Sequence, residues 1–455
     1  MKKALDWSNY EDQGMGDAYA DIPKHGEDFA KAISVCIRSG VCQKPDNRGV
    51  MCPSFRLNDD PQLSPGGRVQ LFKSLLNADE TRFISDKSLA ASMDQCVSCK
   101  GCKRECENNV DMAAIKAEYL AQKRQARHKS FRSWLFAEFP FLLYKYPVIG
   151  SLIKLRNRSS LLAKLGHHLL GINGSIPMPE PADTPYQPVN DTSDSVVNDE
   201  SNPISVVLLV DSFTALFHPQ LADDAQAILK AANYPVTIVH PGSEIPGKTK
   251  SEKALLDSGR SLFSQGYIER AKQQAEDLLT QLSPYLKENV RIVGLEPSAL
   301  LMLRDEFLML GLGEKAEQLA KQTLLFEEFV SRELVAGRFK APFKPYTENN
   351  DILVHGHCHQ KAVGAMKSMR KALRLIPDLP FTFIEASCCG MAGSWGLEAE
   401  HTLESQQMAK QALLPALENK PEATVVCNGF SCSHQIYALT GRKPLNLVSL
   451  LARHI

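Results

Sequence analysis

Twelve cysteines dominate the chemistry open to this 455-residue chain. Seven lie from Cys36 to Cys106 and five from Cys358 to Cys432, with none between. The tightest run is Cys96-x2-Cys99-x2-Cys102-x3-Cys106. Three thiolates at this spacing fold inward around one metal centre, and the extra residue before Cys106 turns that side chain elsewhere. Zinc usually takes two separated cysteine pairs, so the spacing favours an iron–sulphur cluster over zinc.

In domains that hold two such clusters, the turned-away cysteine ligates the second one. A partner motif is therefore expected, and Cys36-x5-Cys42-x9-Cys52-Pro53 supplies it. Crossing the motifs assigns Cys52, Cys96, Cys99 and Cys102 to cluster B, and Cys36, Cys42 and Cys106 to cluster A. Cluster A is one thiolate short, because Ser39 stands midway between Cys36 and Cys42. Three readings stand: a [3Fe-4S] cluster, a [4Fe-4S] cluster with the Ser39 oxygen or another non-cysteine ligand, or a lost cluster. The long gap Gln43–Met51 holds another candidate ligand, Asp46.

The second group is Cys358-x29-Cys388-Cys389-Gly390-x36-Cys427-x4-Cys432. Each thiol follows a predicted strand. Ligands of open α/β sheets bind at the carboxyl ends of strands, so five thiolates should converge at one edge. Adjacent cysteines such as Cys388 and Cys389 are poorly placed to pair with each other, which leaves a metal centre as the natural use of the set. His355, His357 and His359 surround Cys358; an imidazole there could ligate, carry a proton or satisfy backbone carbonyls. His357 is a candidate cofactor contact, as is Gly390, which with Gly393 and Gly396 would let backbone approach the cluster. No Gly-x-Gly-x-x-Gly follows a strand, so no flavin or nicotinamide site is evident.

These residues need a scaffold, and the composition supplies one. Hydrophobic residues make up 44% and charged residues 23%, which suits a globular protein with real cores. Lys+Arg and Asp+Glu are both 52, so no global basic field argues for nucleic acid as a partner. The start of the chain is basic but lacks the apolar run of a secretory leader, so a reducing, cytoplasmic setting is expected. Residues 1–30 are polar and of low information. Residues 31–125 carry the first cysteine group, with a helical pattern over Val110–Leu120. Residues 126–175 form a connector, and residues 121–132 are basic. The aromatic run Trp134–Leu155 is broken by Pro140 and Pro147. That stretch either lies peripherally on a membrane interface or packs as helix against its neighbours, and it is too interrupted to span a bilayer.

Residues 176–203 read as a Pro/Ser/Asp-rich linker. From residue 204 the texture is α/β, with strands expected at Ile204–Val210, Pro235–Val239, Val290–Val293, Ile352–His355, Phe381–Ile384 and Ala423–Val426. Helices are expected at Tyr267–Leu282 and Glu314–Leu334. An internal repeat divides this part into residues 204–345 and 346–455. Ile292–Ala299 lines up with Val425–Cys432, Leu256–Gly259 with Ser387–Gly390, and Asp211–Phe213 with Gly356–Cys358. Where the second copy has cysteines, the first has Gly294, Asp257, Ser258 and Ala299. The expected fold is thus an α-helical two-cluster ferredoxin-type domain followed by an α/β cysteine-rich domain of two repeats, of which only the second binds a cluster.

The combination of Asn108–Leu120 after Cys106, Gly356-His-Cys-His-Gln-Lys-Ala362, Ser387-Cys-Cys-Gly-Met-Ala-Gly-Ser-Trp-Gly396 and Phe430-Ser-Cys-Ser-His-Gln435 resembles the iron–sulphur half of FAD-linked D-2-hydroxyacid dehydrogenases. These act on substrates such as D-lactate and D-2-hydroxyglutarate. More distantly the chain is similar to the iron–sulphur component of glycolate oxidase, to the C subunit of anaerobic glycerol-3-phosphate dehydrogenase and to the B subunit of heterodisulfide reductase. The five-cysteine set is similar to the CCG domain of that reductase, which holds a further, non-cubane cluster. The final spacing Cys427-x4-Cys432 is longer than the family's. The resemblance implies an electron-transfer component. It would pass electrons from FAD on a partner flavoprotein, through two [4Fe-4S]-type clusters and the CCG centre, to a quinone or another carrier. It also admits a rival, in which the CCG centre reduces a disulfide.

Overall fold

The computed structural model describes residues 3–10, 21–44, 49–126, 130–188, 204–247 and 255–455. Asp46, Arg127, Lys129 and most of the expected linker lie outside them.

The first part is helical. Helices Glu27–Ser34, Pro65–Ala78, Lys87–Asp94 and Met112–Ala126 enclose an aromatic core of Trp7, Phe29, Phe72, Phe83 and Tyr119. Three of these helices are started by side-chain oxygens. Ser64 accepts from the Gly67 N–H, Asp86 from Leu89 and Asp111 from Ala114. The amino-terminal segment is less bland than its polar sequence suggests, because Leu5 and Trp7 are buried. Glu118 holds this segment in place, accepting from the N–H groups of Ala4 and Leu5 and from Trp7 Nε1 at 3.0 Å.

The connector forms three helices, Phe131–Lys145, Val148–Arg158 and Ser160–Leu170. The first runs through Pro140 without ending, contrary to the break expected there. Pro147 sits at the amino-terminal cap of the second, where its missing N–H costs nothing. Part of the expected linker is packed: Ile176 and Met178 are buried, and the N–H groups of Ala182 and Tyr186 bond to the carbonyls of Leu216 and Ala215.

Two parallel sheets follow. Strands β1 (Ser205–Leu209), β2 (Val236–Val239), β3 (Val290–Gly294) and β4 (Thr323–Leu325) take the order β2-β1-β3-β4. Strands β5 (Ile352–His355), β6 (Phe381–Phe383) and β7 (Thr424–Cys427) take the order β6-β5-β7. All pairings are parallel, and the central strands are apolar runs because both sheet faces are covered. The single helix expected over Glu314–Leu334 is two, Glu314–Gln322 and Phe326–Val335, parted by β4. Thr323, Leu324 and Leu325 are fully buried and pair with β3, and that burial overrides their helical spacing.

Each sheet places the first strand of its group between the second and third. Pairing aligns Leu209 with Gly294 in one sheet and His355 with Cys427 in the other. Asp211 caps the helix after β1, and His357 caps the helix after β5. Counted from these strand ends, Ser212, not Phe213, stands at the place that Cys358 takes in the other sheet. Motif matching alone places this pair one residue out, because it has no strand ends to anchor it.

Candidate metal centres

Cys52 and the Cys96–Cys102 turn meet in the helical part. Cys52 caps a short helix begun by Pro53, and Lys100, with φ of 59°, reverses the chain between Cys99 and Cys102. Gly101 N–H points at Cys99 Sγ, 3.5 Å away. Burial pushes the Cys99 thiol well up, and the Cys358, Cys52 and Cys102 sulphurs add to that. Burial likewise raises Cys102, with Asp111, Cys96 and Cys52 nearby. These four sulphurs are thus one electrostatic group. Arg68 completes it: its guanidinium is fully buried and donates to Cys52 Sγ at 3.7 Å, Ser54 Oγ at 3.0 Å and the Ser92 carbonyl at 3.0 Å. No motif marked Arg68, a lone arginine inside a helix.

Cys36, Cys42 and Cys106 form a second group. Burial raises Cys36, and the Cys42 and Cys106 sulphurs raise it further. Gly66 N–H faces Cys42 Sγ at 3.4 Å. Ser39 lies on the exposed turn between Cys36 and Cys42. The structure brings Cys106 to Cys36 and Cys42, and Cys52 to Cys96, Cys99 and Cys102.

The third group stands at the carboxyl edge of the β6-β5-β7 sheet. Its sulphurs run in sequence of contact Cys358, Cys388, Cys389, Cys432, Cys427. The Cys388 contact first, and burial second, push Cys358 well above a thiol's ordinary range. Crowded buried thiols resist ionisation, and a bound cation removes that cost, so the three sets fit iron–sulphur clusters. Gly390, with φ of 91°, turns its N–H to Cys388 Sγ at 3.3 Å. Any Cβ there would collide with the Ser405 carbonyl. Gly393 borders open space and Gly396 packs on Ser405, so these two serve the turn rather than a close approach to the thiols.

The three histidines separate. His357 Nδ1 accepts from the His359 N–H at 3.2 Å, which makes it a helix cap. His359 Nε2 meets the Ser98 carbonyl at 3.0 Å and so bridges to the first cysteine turn. His355 is 1% exposed, and neither ring nitrogen has a hydrogen-bond partner among the described residues. Burial lowers its pKa well below the imidazole range.

The first sheet carries no thiol at the matching places. There Ser212 Oγ donates to Asp257 Oδ1 at 2.8 Å, where the other sheet sets Cys358 against Cys388. Asp257 also accepts from the Gly259 N–H at 3.3 Å.

A cavity of about 440 Å³ lies between the two parts. Cys96 and Cys99 line it from one side and Cys358, Cys389 and Cys432 from another, with Phe136 of the connector, Arg124 and Trp395 on the remaining walls. Cys358 and Cys388 share a buried cluster with Val50, Val97 and Trp395, and Cys99 packs against it. The second and third thiol groups are therefore neighbours.

Residues 32–110 match the family described as a 4Fe-4S dicluster domain. The chain is 21% identical over 452 residues to D-2-hydroxyglutarate dehydrogenase of Escherichia coli, covering 89% of this chain and 42% of that protein. To the enzyme of the same name from Pseudomonas putida it is 23% identical, covering 93% and 43%. To the C subunit of anaerobic glycerol-3-phosphate dehydrogenase of Escherichia coli it is 25% identical over 238 residues, covering 52% of this chain and 55% of that one. The chain thus spans about two-fifths of the length of the D-2-hydroxyglutarate dehydrogenases it matches. No solved structure matches it significantly.

Proposed function

We propose that this chain is the iron–sulphur electron-transfer component of an FAD-dependent 2-hydroxyacid oxidoreductase, with the flavin on a partner chain. The observation that carries the reading is the succession of three thiol groups, the second and third sharing a buried cluster through Cys99 and Cys358. Cys36, Cys42 and Cys106 would hold one cluster, Cys52, Cys96, Cys99 and Cys102 the next, and the five thiols beside β5 and β7 a CCG-type third. Iron–sulphur clusters, when bound, carry single electrons. The chain's own residues hold these sites and fix their order. The matched strand orders support a two-repeat domain in which the first copy is a structural partner.

The exit for electrons is a quinone or another carrier, reached from the cytoplasmic face of a membrane. The surface that supports this is the helix pair Val148–Arg158 and Ser160–Leu170, not the aromatic run before it. Val148, Leu152 and Leu155 form one exposed stripe, and Leu161, Leu165 and Leu169 another. No acidic residue occurs between Glu138 and Glu180, while Lys145, Lys154, Arg156, Arg158 and Lys164 do. Apolar stripes edged by cations suit an anionic lipid surface. No helix among the described residues is long and apolar enough to cross a membrane.

The test is reduction of the anaerobically purified chain by an FAD-linked 2-hydroxyacid dehydrogenase and its substrate, followed as bleaching of iron–sulphur absorption. Zinc in place of iron would overturn the reading. Turnover of a disulfide without any flavoprotein would favour the rival, which the cavity beside Cys389 and Cys432 makes sterically feasible.

A further inference from the structure

His355 ends β5, the central strand of the second sheet, and is 1% exposed. Neither Nδ1 nor Nε2 has a hydrogen-bond partner among the described residues. An imidazole buried with both nitrogens unpaired forfeits the hydrogen bonds it would make in water. Such a group needs an explanation. Its surroundings supply one. A ring nitrogen of His355 and the sulphurs of Cys389 and Cys432 all lie within 4.8 Å of one another.

The other sheet is an internal control. Strand register sets Leu209 where His355 stands. Leu209 is also buried, at 6% exposed. The strand end therefore folds without a polar side chain, and it does so in the copy where Ser212, Asp257, Ser258 and Ala299 replace the thiols. Histidine and cysteines occur together in one copy and are missing together from the other. The neighbouring histidines differ from His355 in kind: His357 is occupied as a helix cap and His359 by the Ser98 carbonyl.

We infer that His355 is a nitrogen ligand to iron in the cluster held by Cys389 and Cys432. The neutral ring offers a lone pair to the metal, as imidazole does where it replaces cysteine in other iron–sulphur centres. This rests on the reading that the five thiols beside β5 and β7 hold an iron–sulphur cluster. It also bears on the long final spacing of the motif, since a nitrogen donor from β5 relieves the set of needing every thiol as a ligand.

The full chain, purified anaerobically from cells fed 15N-labelled or unlabelled histidine, distinguishes the cases. Pulsed electron paramagnetic resonance of the third centre should show a directly bonded nitrogen whose coupling changes on labelling. The coupling should be lost in His355→Cys, which supplies a thiolate instead, and the potential of that centre should fall while the other two centres keep theirs. His355→Leu, which copies the first sheet, should fold with the first two centres intact and lose iron from the third. A third centre with full iron and no histidine coupling would overturn the ligand assignment alone. So would a His355→Leu variant whose third centre keeps its iron and spectrum. No iron at the third set in the unaltered chain would overturn the underlying cluster reading.

Discussion

Replacing Arg68 with methionine tests whether the set around Cys52 holds a redox centre. Arg68 is fully buried. Burial works against its charge, and the Cys96, Cys52 and Cys102 sulphurs more than offset that, raising its pKa. At the 3.7 Å between Nη1 and Cys52 Sγ, and an effective dielectric of about 20, a unit charge on sulphur is worth about 4 kcal/mol. An added electron spreads beyond that one sulphur, so about half of this, ~2 kcal/mol, is retained. For a one-electron couple the potential should then fall by ~90 mV in Arg68→Met. Arg68→Lys keeps the charge but loses the planar fork, and should shift the potential less. The assay is a redox titration followed by electron paramagnetic resonance, with iron content measured on the same samples. An unchanged potential in an Arg68→Met protein with its full iron would refute the electrostatic argument.

Three further outcomes are expected. Burial pushes the Glu327 carboxyl up to about 7, so the folded state holds a proton that the unfolded chain releases near 4.5. Stability from this group is present below about pH 4.5 and lost as pH rises through about 7, at up to ~1.4 kcal/mol per unit. Glu327→Gln should flatten denaturant-derived stability over that window, and an unaltered slope would count against it. Changing Leu161, Leu165 and Leu169 together to glutamine should release the chain from anionic vesicles in a sedimentation assay, each leucine contributing ~1 kcal/mol when half-inserted; binding that survives would place the contact elsewhere. Asp257→Asn should leave total iron unchanged, since its carboxylate is engaged with Ser212 and Gly259, and iron loss would make the first sheet a metal site.

Which thiols lie together could largely be read in advance, because close spacing in a turn brings side chains to one side. Cys106 lies with Cys36 and Cys42 in space. Most strands were also legible, though not their ends, since apolar runs such as Val206–Leu209 are buried. What escaped notice depends on contacts distant in sequence. Trp7 is buried by Glu118, more than a hundred residues away. Arg68 reaches Cys52, 16 residues back, only once the intervening chain has folded. Thr323–Leu325 obeys helical spacing until β3 offers a pairing edge. The exposed leucines of Ser160–Leu170 look like core positions until the fold leaves that face uncovered.

The indole of Trp395, which closes the Cys388-Cys389-Gly390 turn, donates to the Asp94 carbonyl at 2.9 Å, two residues before Cys96. With His359 on Ser98, it fastens the two thiol turns at two points. In the proposed function, an electron crossing there would meet no swinging arm. Its rate should be set by one fixed distance together with driving force and reorganisation energy, and stopped-flow traces recorded in thickened, sucrose-laden buffer should overlay those in water.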